Sequence, residues 1–103
     1  MIEFVSDALK LLERNMLDDE IVSKAESIIK SIIDALVDRP DLASIRIEKA
    51  SSILLIRIAV ERSETGKMIG RGGRNATAIR AILGAFGARY KLKSIVEINE
   101  DYD

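Results

Sequence analysis

The residues best placed to do chemistry in this chain are Gly70-Arg71-Gly72-Gly73, three glycines and an arginine in four positions. Glycine permits positive φ and lets a backbone approach a ligand closely. A helical pattern opens directly behind these residues. Free N–H groups at a helix start, together with the helix dipole, favour a phosphate. Arg71 and Arg74 flank that point, and Lys67 lies one turn before it. The segment therefore combines main-chain donors, fixed partial charge and mobile cations, and the chemistry these suit is the holding of an anion. The competing reading is a helix C-cap followed by a tight turn, but a cap needs one glycine rather than three.

Two other phosphate motifs do not fit. A nucleotide P-loop needs glycine-lysine followed by serine or threonine; Gly66-Lys67 is followed by Met68. A dinucleotide fingerprint needs a third glycine at 75, which is Asn75, and should follow a strand directly. Catalysis has little to work with. The chain has neither histidine nor cysteine, which removes the commonest general base, thiolate chemistry and disulfides. Asp18, Asp19 and Glu20 are adjacent, but they read as a helix cap and a solvated turn. No enzyme, cofactor or metal is expected.

Charge points the same way as the glycines. Of 103 residues, 16 are basic and 17 acidic. Residues 61–93 hold eight basic side chains (Arg62, Lys67, Arg71, Arg74, Arg80, Arg89, Lys91, Lys93) against Glu61 and Glu64, a local +6 on a remainder of −7. A positive block on an otherwise acidic protein suggests a polyanion partner at one surface. Arg80 reads equally well as a phosphate contact and as a solvated helix position. Lys91 and Lys93 read better as protection of a sheet edge.

The elements around the loop follow from periodicity. Ile2, Val5, Leu9, Leu12 and Met16 recur at steps of three and four and predict a helix over 2–16. Asp18 and Asp19 interrupt the pattern. Residues 20–38 predict a second helix with two adjacent apolar stripes, Ile21, Ala25, Ile28, Ile32, Leu36 and Val22, Ile29, Ile33, Val37. So wide a face implies contact with the core and with something else, either the first helix or another subunit. Pro40 ends that helix. Alternation over 44–49 and an apolar, β-branched run over 53–60, separated by Ala50-Ser51-Ser52, predict a hairpin. Ser63 is placed to cap a short helix through Ile69. A long helix from about 74 to 90 has Ile79, Ile82, Leu83, Phe86 and Tyr90 as its core stripe. Gly84 and Gly87 weaken it unless a backbone packs close there. Residues 93–98 form a last strand, and Glu100-Asp101-Tyr102-Asp103 a frayed acidic tail. The class is α+β, a three-stranded sheet covered on one face by helices. Residues 1–19 are a helical extension and 20–103 the main domain. No apolar run approaches the 20 or so residues of a membrane span, and no secretion signal opens the chain. A cytoplasmic protein is expected.

With Ile69 before it, Gly70-Arg71-Gly72-Gly73 between two helices resembles the signature of the KH domain, an aliphatic residue followed by Gly-x-x-Gly. Similarity extends from about Ile28 to Asn99. It includes Leu36-Val37-Asp38-Arg39-Pro40, Gly66-Lys67 and Ala78-Ile79-Arg80, and is similar to the small bacterial single-KH proteins of the KhpA family. The resemblance implies a type II KH fold with an extra N-terminal helix that short members lack. It implies single-stranded RNA as partner, held by the loop over about four nucleotides with bases in an apolar groove. It also implies pairing, as a homodimer or with a KhpB-like KH protein, and a role in post-transcriptional regulation or as an RNA chaperone. The site residues implied are Lys67, Ile69, Gly70, Arg71, Gly72, Gly73, Arg74 and Arg80, with Ile58 and Ile79 as further candidates for the groove. The only aromatic residues are Phe4, Phe86, Tyr90 and Tyr102, too few for recognition by stacked bases. The alternative is a KH-fold protein-interaction module in which RNA binding is minor.

Overall fold

In the computed structural model, residues 2–101 are described. The first element is one helix, α1 (Ile2–Leu36), 35 residues long. The two helices expected from the break at Asp18-Asp19 are therefore continuous. The interruption is one of hydrophobic pattern, not of backbone. Neither proline nor glycine occurs there, and an interior aspartate costs only a few tenths of a kcal/mol against alanine. Asp18 is also paired with Lys49 at 3.3 Å. Glu20–Lys24 and Glu26–Lys30 bridge successive turns at 3.1 and 3.2 Å.

Then follow β1 (Ser44–Ala50), β2 (Ile53–Glu61), α2 (Thr65–Ile69), α3 (Arg74–Arg89) and β3 (Lys93–Asp101). The sheet order is β1-β2-β3. β1 and β2 form the expected antiparallel hairpin, with Ala50 opposite Ile53 and Ser51-Ser52 as its turn. β3 runs parallel to β2, from Ile53–Lys93 to Glu61–Asp101, so α2 and α3 form the crossover. The strand extends past residue 98, and Glu100 and Asp101 are paired to Val60 and Glu61 rather than frayed. Tyr102 and Asp103 lie outside the described residues.

Alternation on β2 buries Leu54, Ile56, Ile58 and Val60 under the helices. Each such side chain contributes about 1.5–3 kcal/mol by leaving water. α1 covers them with Ile21, Ala25, Ile29 and Ile33, and Val37 directly after it continues the line, which is drawn from both predicted stripes. From α2 and α3 come Met68, Ile79 and Leu83, whereas Ile82 of the predicted stripe is exposed. Ile58 is thus core and not a groove-lining tip, and Ile79, though it borders a groove between α1 and α3, is itself 3 % exposed; both faces of β2 are apolar in sequence, so its alternation alone did not show which one the helices take. No described helix is long and apolar enough to cross a membrane.

The two glycines of α3 differ. A Cβ on Gly87 would meet Leu92 O at 2.9 Å and the Ser94 side chain, so the close backbone is that of Leu92, directly before β3. Gly84 has nothing within 4 Å. Gly87→Ala should therefore destabilise by about 1–3 kcal/mol through overpacking. Gly84→Ala should stabilise by about 1 kcal/mol through helix propensity. Thermal unfolding of the two variants should give shifts of opposite sign.

Candidate nucleic-acid interface

α2 is stopped at Gly70, whose backbone (φ 78°, ψ 167°) only glycine adopts readily. Its N–H donates to Gly66 O at 2.8 Å. Arg71–Gly73 form a single tight turn, with Gly72 (φ 68°, ψ 17°) and Gly73 (φ 77°, ψ 12°) left-handed. The N–H of Gly73 donates to Gly70 O at 3.0 Å, and that of Arg74 to Arg71 O. Of the loop's main-chain donors, Gly70, Gly73 and Arg74 are therefore satisfied within the chain, a smaller free set than the glycine count suggests. The amides of Arg71 and Gly72 make no such bond. A right-handed residue followed by a left-handed one turns successive N–H groups to the same side and makes an anion-holding concavity.

Around this turn the surface is open. Arg71, Gly72 and Arg74 are exposed, and Gly70 and Gly73 half-buried. The side chains of Arg71 and Arg74 have no ion-pair or hydrogen-bond partner among the described residues. No side chain caps α3 at Gly73. Ile69 is 37 % exposed at the entrance to the loop. Beside it, Asn75, Ala78, Ile79 and Ile82 of α3 face Ile32 and Leu36 of α1 across an open apolar groove of about 230 Å³.

Two of the predicted site residues are directed elsewhere. Lys67 donates to Asp38 Oδ2 at 2.6 Å and to Glu64 Oε1 at 3.3 Å, so its charge is already met by two carboxylates. That hydrogen bond to Asp38 holds the lysine's pKa above its usual range against partial burial, with Glu64 adding to it. Arg80 lies further along α3, its Nε donating to Val96 O at 3.4 Å. The structure brings together Ile69, Gly70, Arg71, Gly72, Gly73 and Arg74, and leaves Lys67 and Arg80 at its margins.

Two residues that position the loop were not expected. Asn75 donates from Nδ2 to Lys67 O at 2.8 Å, tying the start of α3 to the end of α2. Glu64, 4 % exposed, accepts from the N–H groups of Asp38 at 2.6 Å and Arg39 at 3.0 Å. It thus fastens the segment behind α1, where Pro40 prevents helical continuation, to the start of α2. Ser63, expected as the cap of α2, lies instead inside a turn over Arg62–Glu64, and Glu64 occupies the cap position without a side-chain cap bond. Burial pushes the Glu64 carboxyl up, but the two amides and Lys67 outweigh it and hold its pKa below the ordinary value. A carboxylate whose pKa is lower folded than unfolded stabilises above the unfolded value, and this is lost as pH falls. Glu64→Gln should therefore lower Tm at neutral pH. The difference from the parent should shrink as pH drops through the ordinary glutamate range, about pH 4, in a series of thermal melts.

Among the described residues no group of three or more His, Cys, Asp or Glu is placed to hold a metal ion. Residues 26–98 match the family model described as KhpA/KhpB, KH domain. The chain is 38 % identical over 73 residues to an RNA-binding protein KhpA of Bacillus subtilis, covering 71 % of this chain and 90 % of that protein. A relative of the same name in Listeria monocytogenes is 36 % identical over 75 residues, 73 % of this chain and 99 % of that protein. Another, in Streptococcus pneumoniae, is 35 % identical over 71 residues, 69 % and 90 % of the two chains.

Proposed function

The chain belongs to the KhpA/KhpB KH-domain family, and from that membership we propose that it binds single-stranded RNA with the turn at Arg71-Gly72 against the phosphate backbone. The observation that carries this reading is the pair of unsatisfied amides at Arg71 and Gly72, flanked by two unpaired arginines on an open surface. The family is one of binding proteins, not enzymes. Arg71 and Arg74 supply attraction and the amides supply fixed donors. Bases rest on the apolar surface of Ile69 and the neighbouring groove. Lys67 serves by holding α2 in place, and Arg80 lies within reach of a longer strand. So few contacts give weak affinity and weak sequence preference, suited to a general RNA chaperone or post-transcriptional regulator in the cytoplasm. Reversing the charge of the turn, Arg71→Asp with Gly72→Asp, tests the reading: single-stranded RNA binding should be lost while the fold is kept.

A second observation favours pairing with another copy of this chain, which doubles the contacts available to one RNA. Leu9, Leu12 and Met16 are 54 %, 58 % and 70 % exposed on α1. At about 100° per residue, their stripe lies roughly 150° around the helix from Ile21, Ala25, Ile29 and Ile33, so it faces away from its own domain. Two such stripes laid together would cover about 10 Å of helix, an addition residues 1–19 would bring to the RNA-binding unit of 20–103. A KhpB-like KH protein is the heterotypic form of the same pairing. Leu12→Glu with Met16→Glu should convert a dimeric elution and scattering mass to the monomeric one without lowering helix content. An unchanged mass would remove this role for α1.

A further inference from the structure

At the other end of α3 from the glycine loop, about 24 Å away along the helix, a cleft of about 400 Å³ opens between α1, the β1–β2 turn and the segment leading into β3. Arg14, Lys49, Arg89 and Lys91 line it, together with Ser51 and Tyr90. Asp18, the one carboxylate there, is already paired with Lys49 at 3.3 Å. Arg14, Arg89 and Lys91 have no carboxylate partner among the described residues. Arg89 is held at 5.4 Å from the centroid of the Tyr90 ring, a contact that orients a cation without neutralising it.

Cations at the end of a helix can serve simply to satisfy its last carbonyls. Here the main chain does much of that: Tyr90 and Leu92 N–H donate to Gly87 O, and Lys91 N–H to Ala88 O. Arg14 and Lys49 moreover come from different elements and converge on the same space. A second observation is conformational. Among the described residues, Ser51 (φ 55°) and Lys91 (φ 60°) are the only non-glycine residues with positive φ, and both line this cleft. Glycine is the ordinary choice at such a position after a helix, and residues held in such conformations cluster at ligand sites.

We propose that this cleft is a second anion site, which holds a phosphodiester of an RNA strand long enough to reach it from the glycine loop. The inference rests on the reading of the chain as an RNA-binding protein. It assigns to Arg14 and Leu17 of the N-terminal extension a part in walling the site.

The test uses the full chain and oligouridines of about four and roughly 16 nucleotides, followed by NMR titration. Arg89→Glu removes one cation. Lys91→Gly removes another while relaxing the backbone, so a loss of binding there does not come from a loss of fold. Each variant should bind the short RNA as the parent does, and the long RNA about tenfold more weakly for Arg89→Glu. Each should also reduce the salt dependence of long-RNA binding by about one phosphate contact. Equal affinity for the long RNA, or equal weakening on both lengths, would overturn the proposal. So would amide shifts at Ser51, Ser52 and Lys91 with inorganic phosphate but none with the long RNA, which would make the cleft a small-anion site only. Binding of the short RNA by the parent reports on the glycine loop alone, so its absence counts against the loop and not against the cleft.

Discussion

Arg71→Asp with Gly72→Asp should weaken binding of a short single-stranded RNA by about a hundredfold, with the domain still folded. The size follows from what is removed and what is added. Arg71 carries a full charge with no internal partner, so its loss costs a phosphate contact, and each substituted carboxylate repels the phosphate that the free amides would hold. The fold should survive because both positions are exposed, and a Cβ on Gly72 meets nothing within 4 Å. Aspartate also tolerates left-handed backbone better than most residues, so the penalty at φ 68° is about 1 kcal/mol. Fluorescence anisotropy with labelled RNA, read beside circular dichroism, separates the two effects. Near-parental affinity in a folded double variant would remove the turn from the binding surface.

Gly70→Ala should do the reverse, damaging structure first. Its Cβ would stand 2.7 Å from Asn75 Cγ and 2.9 Å from Asn75 N, and the backbone at φ 78°, ψ 167° is closed to alanine. Relief requires moving Asn75 off Lys67 O, the bond that joins α2 to α3 across the loop. The expected cost is about 2–3 kcal/mol, a fall in Tm of roughly 10 °C or more for a domain of this size. RNA affinity should fall with it, because the free amides of Arg71 and Gly72 lose their common direction. Gly72→Ala and Gly73→Ala, with open space at their Cβ positions, should each cost only about 1 kcal/mol. A thermal melt of the three alanine variants should single out Gly70, and three equal shifts would contradict the clash.

The loop was legible because its signals are local. Three glycines, the flanking arginines and the helical patterns on either side all act within a dozen residues of one another. The two strands, their hairpin and the long helix were legible for the same reason. The continuity of α1 was not, because a break in hydrophobic pattern looks the same whether the backbone stops or the helix changes partners. Lys67 read as a phosphate ligand because its partner Asp38 is 29 residues away in sequence and meets it only in the fold. Glu64 gave a faint sign, standing four residues before buried Met68 of α2, the spacing of an inward-facing helical position. Asn75 was visible only as the residue that spoils a dinucleotide fingerprint. Which donors remain free in the loop depends on the tightness of the turn, since hydrogen bonds to Gly66 O and Gly70 O consume two amides that composition alone would count as available.

The central claim is that the amides of Arg71 and Gly72 meet the phosphate. It is tested most directly by titrating the uniformly ¹⁵N-labelled chain with a short oligouridine and following each backbone amide. The expected result is that the Arg71 and Gly72 resonances move furthest and become protected from exchange. Gly70 and Gly73, already bonded within the chain, should shift less and keep the protection they have. If Arg71 and Gly72 stay still while the strongest shifts gather elsewhere, on the open face of the sheet or along α1, the RNA is held by another surface.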